Sequence, residues 1–155
     1  MNTTGRLTGE WTETLEEAYG DRGAYGRAGE LFVKKVIESW GWEVKDNESN
    51  FKEQVAGIDL WIKKPTWAHF YSIDVKANMG PLGTFYVDTN RNGWLFSKKK
   101  TSDRIWHVNV DTGWMAWYGR REMQHYLTND LNIVDAGMHP IHASQKIPFI
   151  TRSKA

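Results

Sequence analysis

Hydrophobic positions along this chain follow two different periods. In "RAGELFVKKVIESW" (27–40), Ala28, Phe32, Val36 and Trp40 recur at helical spacing, and Val33 and Ile37 widen the stripe. Gly41 follows, a residue suited to a helix C-terminus, so a helix over 27–40 is predicted. Period two then takes over. "WEVKD" (42–46) reads as a strand, "NESNFKEQVA" as an irregular connection, and "GIDLWIKK" (57–64) as the next strand. In that strand Ile58, Leu60 and Ile62 face one way, Asp59 and Trp61 the other, and Pro65 ends it. "FYSIDVKAN" (70–78) puts Tyr71, Ile73, Val75 and Ala77 on one face, and Asp74 and Lys76 side by side on the other.

"TFYVDT" (84–89) is another alternating run, followed by short strands at 94–97, "RIWHVNV" (104–110) and "GWMAWYG" (113–119), the last two joined as a hairpin through "DTG". "RREMQHYLTN" (120–129) reads as helical, and Pro140 and Pro148 make the remaining tail loops or edge segments. Before the first long helix, 10–19 reads as a short polar helix, broken by three glycines in "GDRGAYG" (20–26). There is no internal repeat and no low-complexity linker. Helix, several strands and helix together predict an α/β or α+β domain on a central mixed sheet, one side of it covered by the 27–40 helix.

At 155 residues the chain fits one compact domain with a core large enough to need no disulfide or structural metal. It has no cysteine, which excludes disulfides and thiolate metal sites. No apolar run approaches the ~20 residues of a membrane helix, and the polar, acidic N-terminus is unlike a signal peptide. The expectation is a cytoplasmic protein with no membrane association. A net charge of +1 does not announce a nucleic-acid binder, but basic residues cluster at 97–104, 119–121 and the C-terminus. Local clusters matter more than the total for phosphate contact. Of nine tryptophans, Trp94, Trp106, Trp114 and Trp117 lie near those clusters, either as core and hairpin aromatics or as a surface on which bases stack.

Three acids and a lysine converge on the strands. If 57–64 and 70–78 pair antiparallel through the 65–69 turn, Asp59 and Asp74 stand at the same end of one face. Two carboxylates held there suit a hard divalent cation such as Mg²⁺. Glu30 shares a helical edge with Val33 and Ile37, so it flanks the buried stripe and can reach across to the sheet.

A helical Glu, then "GID" opening a strand, then "IDVK" on the following strand resembles the PD-(D/E)xK nuclease superfamily. The resemblance covers about residues 25–80. It implies a restriction-endonuclease-like αβββαβ core within about 25–130 of a single 1–155 nuclease-like domain. Two departures stand out: Ile58 replaces the motif proline, and Asp74 takes a position more often glutamate. By resemblance Glu30, Asp59, Asp74 and Lys76 are the catalytic residues of an Mg²⁺-dependent DNA endonuclease, with Mn²⁺ able to substitute. The metal ligands would be Asp59, Asp74, the Val75 carbonyl and Glu30, directly or through water. The substrate contacts it implies are Tyr25, Arg27 and Gln54, with Lys98, Lys99, Lys100 and Arg104 of the basic run as phosphate contacts. A homodimer and a phage or mobile-element origin are family expectations.

Each residue also has a plain structural explanation. Asp74 and Lys76 suit an exposed strand pair, Glu30 could pair with Lys34 one turn on, and Asp59 could be a turn residue. "KKKTSDR" could be a solvated loop that protects a strand edge, and Arg120 and Arg121 surface charges at a helix start. Two rival functions remain: a non-catalytic nucleic-acid-binding domain on the same fold, and an α/β protein whose aromatic second half binds a protein partner. His139 and His142 straddle Pro140 without a cysteine and form no zinc motif. A P-loop and a Gly-x-Ser-x-Gly nucleophile motif are both missing.

Overall fold

The structure is a computed structural model that describes residues 26–46, 51–77 and 83–155. The helix and glycine break expected at 10–26 therefore lie almost wholly outside the described residues. Helix α1 (26–39) ends on Gly41 at φ +86°. The Gly41 N–H donates to the Glu38 carbonyl (2.9 Å) and that of Trp42 to Ile37 (3.3 Å), the paired bonds by which a left-handed glycine closes a helix. Six strands then build one sheet in the order β1 (Glu43–Asp46), β2 (Leu60–Lys63), β3 (Tyr71–Ala77), β5 (Arg104–Asn109), β6 (Trp114–Gly119), β8 (Thr151–Lys154). Neighbours are antiparallel except β3 and β5, which run parallel. β4 (Phe85–Asp88) and β7 (Met138–Ile141) form a separate two-stranded sheet, where Pro140 sits without a second ladder to serve. The fold is α+β, a mostly antiparallel central sheet flanked by helices.

Both faces of that sheet are buried. Val33 and Ile37 of α1 cover Leu60, Ile62, Ile73, Val75, Trp106, Val108 and Met115. The opposite face packs Ile105, Ala116 and Tyr118 against β4, β7, Leu95 and helix α3 (Arg120–His125), with Met123 and Leu127 contributing. Gly29 brings α1 close: a β-carbon there would come within 3.2 Å of both Ala77 and Val108. The start of α1, Glu30 included, is thereby set against the sheet at the C-terminal ends of β3 and β5.

Three local expectations differ from the structure. Residues 51–55, expected to be irregular, form a single helical turn, α2, too short to show a period. Tertiary bonds hold it, among them Trp61 Nε1 donating to Glu53 Oε2 (2.8 Å). The strand expected at 94–97 is instead a run of turns, closed by Ser97 N–H on Gly93 O (2.9 Å) and Lys100 N–H on Ser97 O (3.0 Å). Its carbonyls at Trp94 and Leu95 accept from the Arg120 guanidinium (2.6 and 2.7 Å), so they are spent before any ladder forms. Among its described residues the β3-to-β5 crossover carries β4 and turns. The 120–129 helix is present but passes into a π-helical turn at Tyr126–Asp130. No helix among the described residues is long and apolar enough to cross a membrane.

The tryptophans divide by face. Trp106 is fully buried and stacks on Trp117 at 4.1 Å, whereas Trp114 is 37% exposed. Trp106→Ala should cost about 3–5 kcal/mol, lowering the thermal midpoint by roughly 10 °C. Trp114→Ala should shift it by no more than a degree or so. Calorimetric melting of the two variants checks both.

Candidate active site

Two strands bring the acids together. The β2–β3 ladder pairs Leu60 with Ile73, and at this point Asp59 leaves the ladder. Its N–H donates to the Ile73 carbonyl (2.9 Å), and its Oδ2 accepts from the Val75 N–H (2.7 Å). These bonds straddle Asp74, so one residue of β3 is enclosed by both ends of Asp59. Gly57, at φ +74°, makes the turn that delivers Asp59 from α2 to this position.

Asp74 is 3% exposed. Its Oδ1 lies 3.2 Å from the Lys76 ammonium. Its Oδ2 is buried with no N–H or O–H donor among the described residues; the Asp59 carboxyl beside it can offer one only when protonated. The electrostatics follow from this crowding. Burial first, then the charges of Asp74 and Glu30, push the Asp59 carboxyl up to about 8, against the Val75 bond. Burial also raises Asp74, opposed chiefly by the Lys76 ammonium and further by the Arg120 guanidinium. Two carboxyls that resist joint ionisation so close together are a ready place for a cation.

The donor set fits a hard cation in part from side chains and in part from water. Among the described residues no three His, Cys, Asp or Glu side chains converge tightly enough to hold a metal ion by themselves. Two carboxylates with an orphaned buried oxygen are, however, the kind of partial set that Mg²⁺ completes with water and backbone oxygen. Glu30, half-buried near the start of α1, lies close enough to oppose the ionisation of Asp59. Lys34 donates to Asp46 of β1 (2.7 Å).

The remaining sequence-derived positions scatter around this centre. Tyr25 lies outside the described residues. Arg27 and Gln54 are exposed on α1 and α2. Lys98 and Lys99 are exposed, but Lys100 is half-buried: its Nζ donates to the Val55 carbonyl (3.0 Å) and its side chain crosses Gly57. A β-carbon on Gly57 would lie 3.0 Å from Lys100 Cδ and 3.4 Å from Asp74 Oδ2, so a larger residue would crowd the pair. Arg104 does not join this group. It pairs with Ile73 in the β3–β5 ladder and therefore lies on the opposite sheet face, its guanidinium 4.7 and 4.9 Å from the Trp67 and Tyr71 rings.

Two residues named in the sequence only for other roles take part here. Trp94 puts its ring face 4.9 Å from the Lys76 ammonium. Arg120, expected at the surface, is 6% exposed, and its guanidinium makes four hydrogen bonds to Trp94 O, Leu95 O, Ser102 O and Ser102 Oγ. Only its position at the start of a helix beside a basic loop was visible beforehand. His107, level with Lys76 in the ladder, is buried and bonded through Nε2 to the Tyr118 hydroxyl (2.7 Å). Burial, with the Lys76 and Arg152 charges adding, pushes its imidazole down to about 3 and keeps it neutral.

No protein-family model matches the chain, and no curated protein does. Among solved structures, that of a bacterial homing endonuclease, I-Ssp6803I, is similar in fold. The similarity covers 80% of this chain and 77% of that one at 12% identity, with a TM-score of 0.51.

The raised Asp59 makes the metal-free protein pH-sensitive. Between about pH 4 and 8 the folded chain holds a proton on Asp59 that the unfolded chain has lost, so this group's contribution to stability falls as pH rises through that window. Asp59→Asn keeps an acceptor for the Val75 N–H and gives Asp74 a permanent donor. In chelator at pH 8 it should melt about 5 °C above the parent chain. The difference should shrink toward pH 4, where both forms are neutral. Thermal melts across pH in EDTA read this directly.

Proposed function

We propose that this chain is a metal-dependent DNA endonuclease of the PD-(D/E)xK type. The observation that carries the reading is the buried Asp59–Asp74 pair, with one orphaned oxygen and Lys76 beside it, on a fold similar to that of an endonuclease. Asp59, Asp74 and the Val75 carbonyl would hold Mg²⁺, with Mn²⁺ as a substitute and Glu30 adding a ligand directly or through water. A divalent cation at this point supplies charge compensation to a phosphodiester and a more acidic water.

The chain's own residues do the rest. Val75 N–H holds one oxygen of the Asp59 carboxylate, and the other would serve the cation. Asp74 Oδ1 orients the Lys76 ammonium, which reaches the attacking water or a non-bridging phosphate oxygen. Arg27, Gln54, Lys98 and Lys99, all exposed, would meet the nucleic-acid backbone, which would make binding weaken as salt rises. A homodimer belongs to this reading, because cutting both strands takes two sites.

The test is cleavage of linear duplex, supercoiled, single-stranded and four-way-junction DNA with Mg²⁺ or with EDTA, for the parent chain, Asp74→Ala and Lys76→Ala. Cleavage should need the cation, vanish in Asp74→Ala and fall about 10²–10³-fold in Lys76→Ala, while both variants keep their circular-dichroism spectra. Salt-sensitive DNA binding without cleavage, unaffected by Asp74→Ala, would instead favour a binding module on the same fold.

A further inference from the structure

Among the described residues the Lys76 ammonium has an acidic and an aromatic partner, and they are not equivalent. One is Asp74 Oδ1 at 3.2 Å. The other is the face of Trp94, whose ring centroid lies 4.9 Å from Nζ, within the range at which an aromatic quadrupole attracts a cation. If Asp74 gives its charge to a metal ion, its hold on Lys76 weakens, and the cation then repels the ammonium. The indole carries no formal charge to be withdrawn, so its attraction persists when that of Asp74 fades.

Trp94 does not reach this place through secondary structure, since it sits in the turn-rich 91–100 segment. It is put there by Arg120. The buried guanidinium donates through Nη1 to the carbonyls of Trp94 and Leu95, and through Nε and Nη2 to the carbonyl and hydroxyl of Ser102. Gln124 Nε2 adds a second donor to the Leu95 carbonyl (2.7 Å). Both ends of the loop are thus tied to α3. A buried arginine is costly unless its donors are used, and here they fasten the loop that carries Trp94 to Lys76. The Trp94 ring also meets His107, the ladder partner of Lys76, in an edge-type contact at 5.9 Å.

We propose that Trp94, fastened by Arg120, is the positioning residue for Lys76, holding the ammonium in place by its ring face while Asp74 is engaged elsewhere. The catalytic part of this inference rests on the nuclease reading above; the contact itself does not. Two variants and two readouts separate them. Trp94→Phe keeps an aromatic face, and Trp94→Leu keeps an apolar group without one. In NMR spectra of the metal-free chain, the Lys76 ε-methylene protons should show an upfield ring-current shift that is reduced in Trp94→Phe and lost in Trp94→Leu. In the cleavage assay, Trp94→Leu should lower kcat about 10-fold with KM and melting temperature little changed, and Trp94→Phe should recover most of that loss.

Normal Lys76 shifts in the parent chain would overturn the inference whether or not the protein cuts DNA. So would a Trp94→Leu variant that keeps its kcat, or Phe and Leu variants that lose kcat and melting temperature equally, the mark of a packing role only. Ring-shifted Lys76 protons in a chain that cleaves nothing would retain the contact and refute the nuclease reading alone.

Discussion

Two carboxyl groups are forced together by the way β2 runs into β3, and much else in this molecule can be understood as a response to that. Asp59 cannot leave the position: its backbone is bonded to Ile73 and its side chain to Val75, on either side of Asp74. Asp74 cannot turn to water, because the sheet face it occupies is covered. Such a pair raises the free energy of the metal-free fold whenever both groups ionise. The arrangement adds nothing to stability, and a cation held between the two carboxyls, as proposed above, would relieve it.

The surroundings divide the work of holding that site. From one side α1 approaches closely through Gly29 and brings Glu30 to the edge of the pair. From the other, Arg120 gathers the 94–102 loop, which carries Trp94 to Lys76 and Lys100 across Gly57. Lys100 closes the C-terminal end of α2 at the Val55 carbonyl, where a positive charge also favours the helix dipole. The loop is therefore not simply a solvated basic run: Lys98 and Lys99 face water, while Lys100 and Ser102 are structural.

Much of this was legible in the chain's pattern, for physical reasons that also mark where legibility stops. α1, β2 and β3 showed because each carries a continuous apolar stripe or an alternation, and the acids and the lysine stood out because Asp59 opens the second strand run while Asp74 and Lys76 share one face of the next. The β5–β6 hairpin was visible from its turn. α2 was not, because five residues cannot show a helical period and its stability comes from Glu53 and Trp61 meeting across the fold. The false strand at 94–97 is the same lesson in reverse: its three consecutive apolar residues resemble a short strand, but Arg120, more than twenty residues on, takes its carbonyls. The second sheet, the buried state of Arg120, the opposite-face placement of Arg104 and the contact between Trp94 and Lys76 all depend on long-range pairing that periodicity does not encode.

The central claim is that the Asp59–Asp74 pair is a cation site in which Asp59 holds a proton when the site is empty. Calorimetric titration of the full chain with Mg²⁺ at pH 7, in buffers of different ionisation enthalpy, tests it most directly. The account predicts saturable binding, with the apparent heat varying with the buffer in proportion to the release of about one proton per ion bound. Saturable binding with no proton released, or no binding that Asp74→Ala removes, would contradict it.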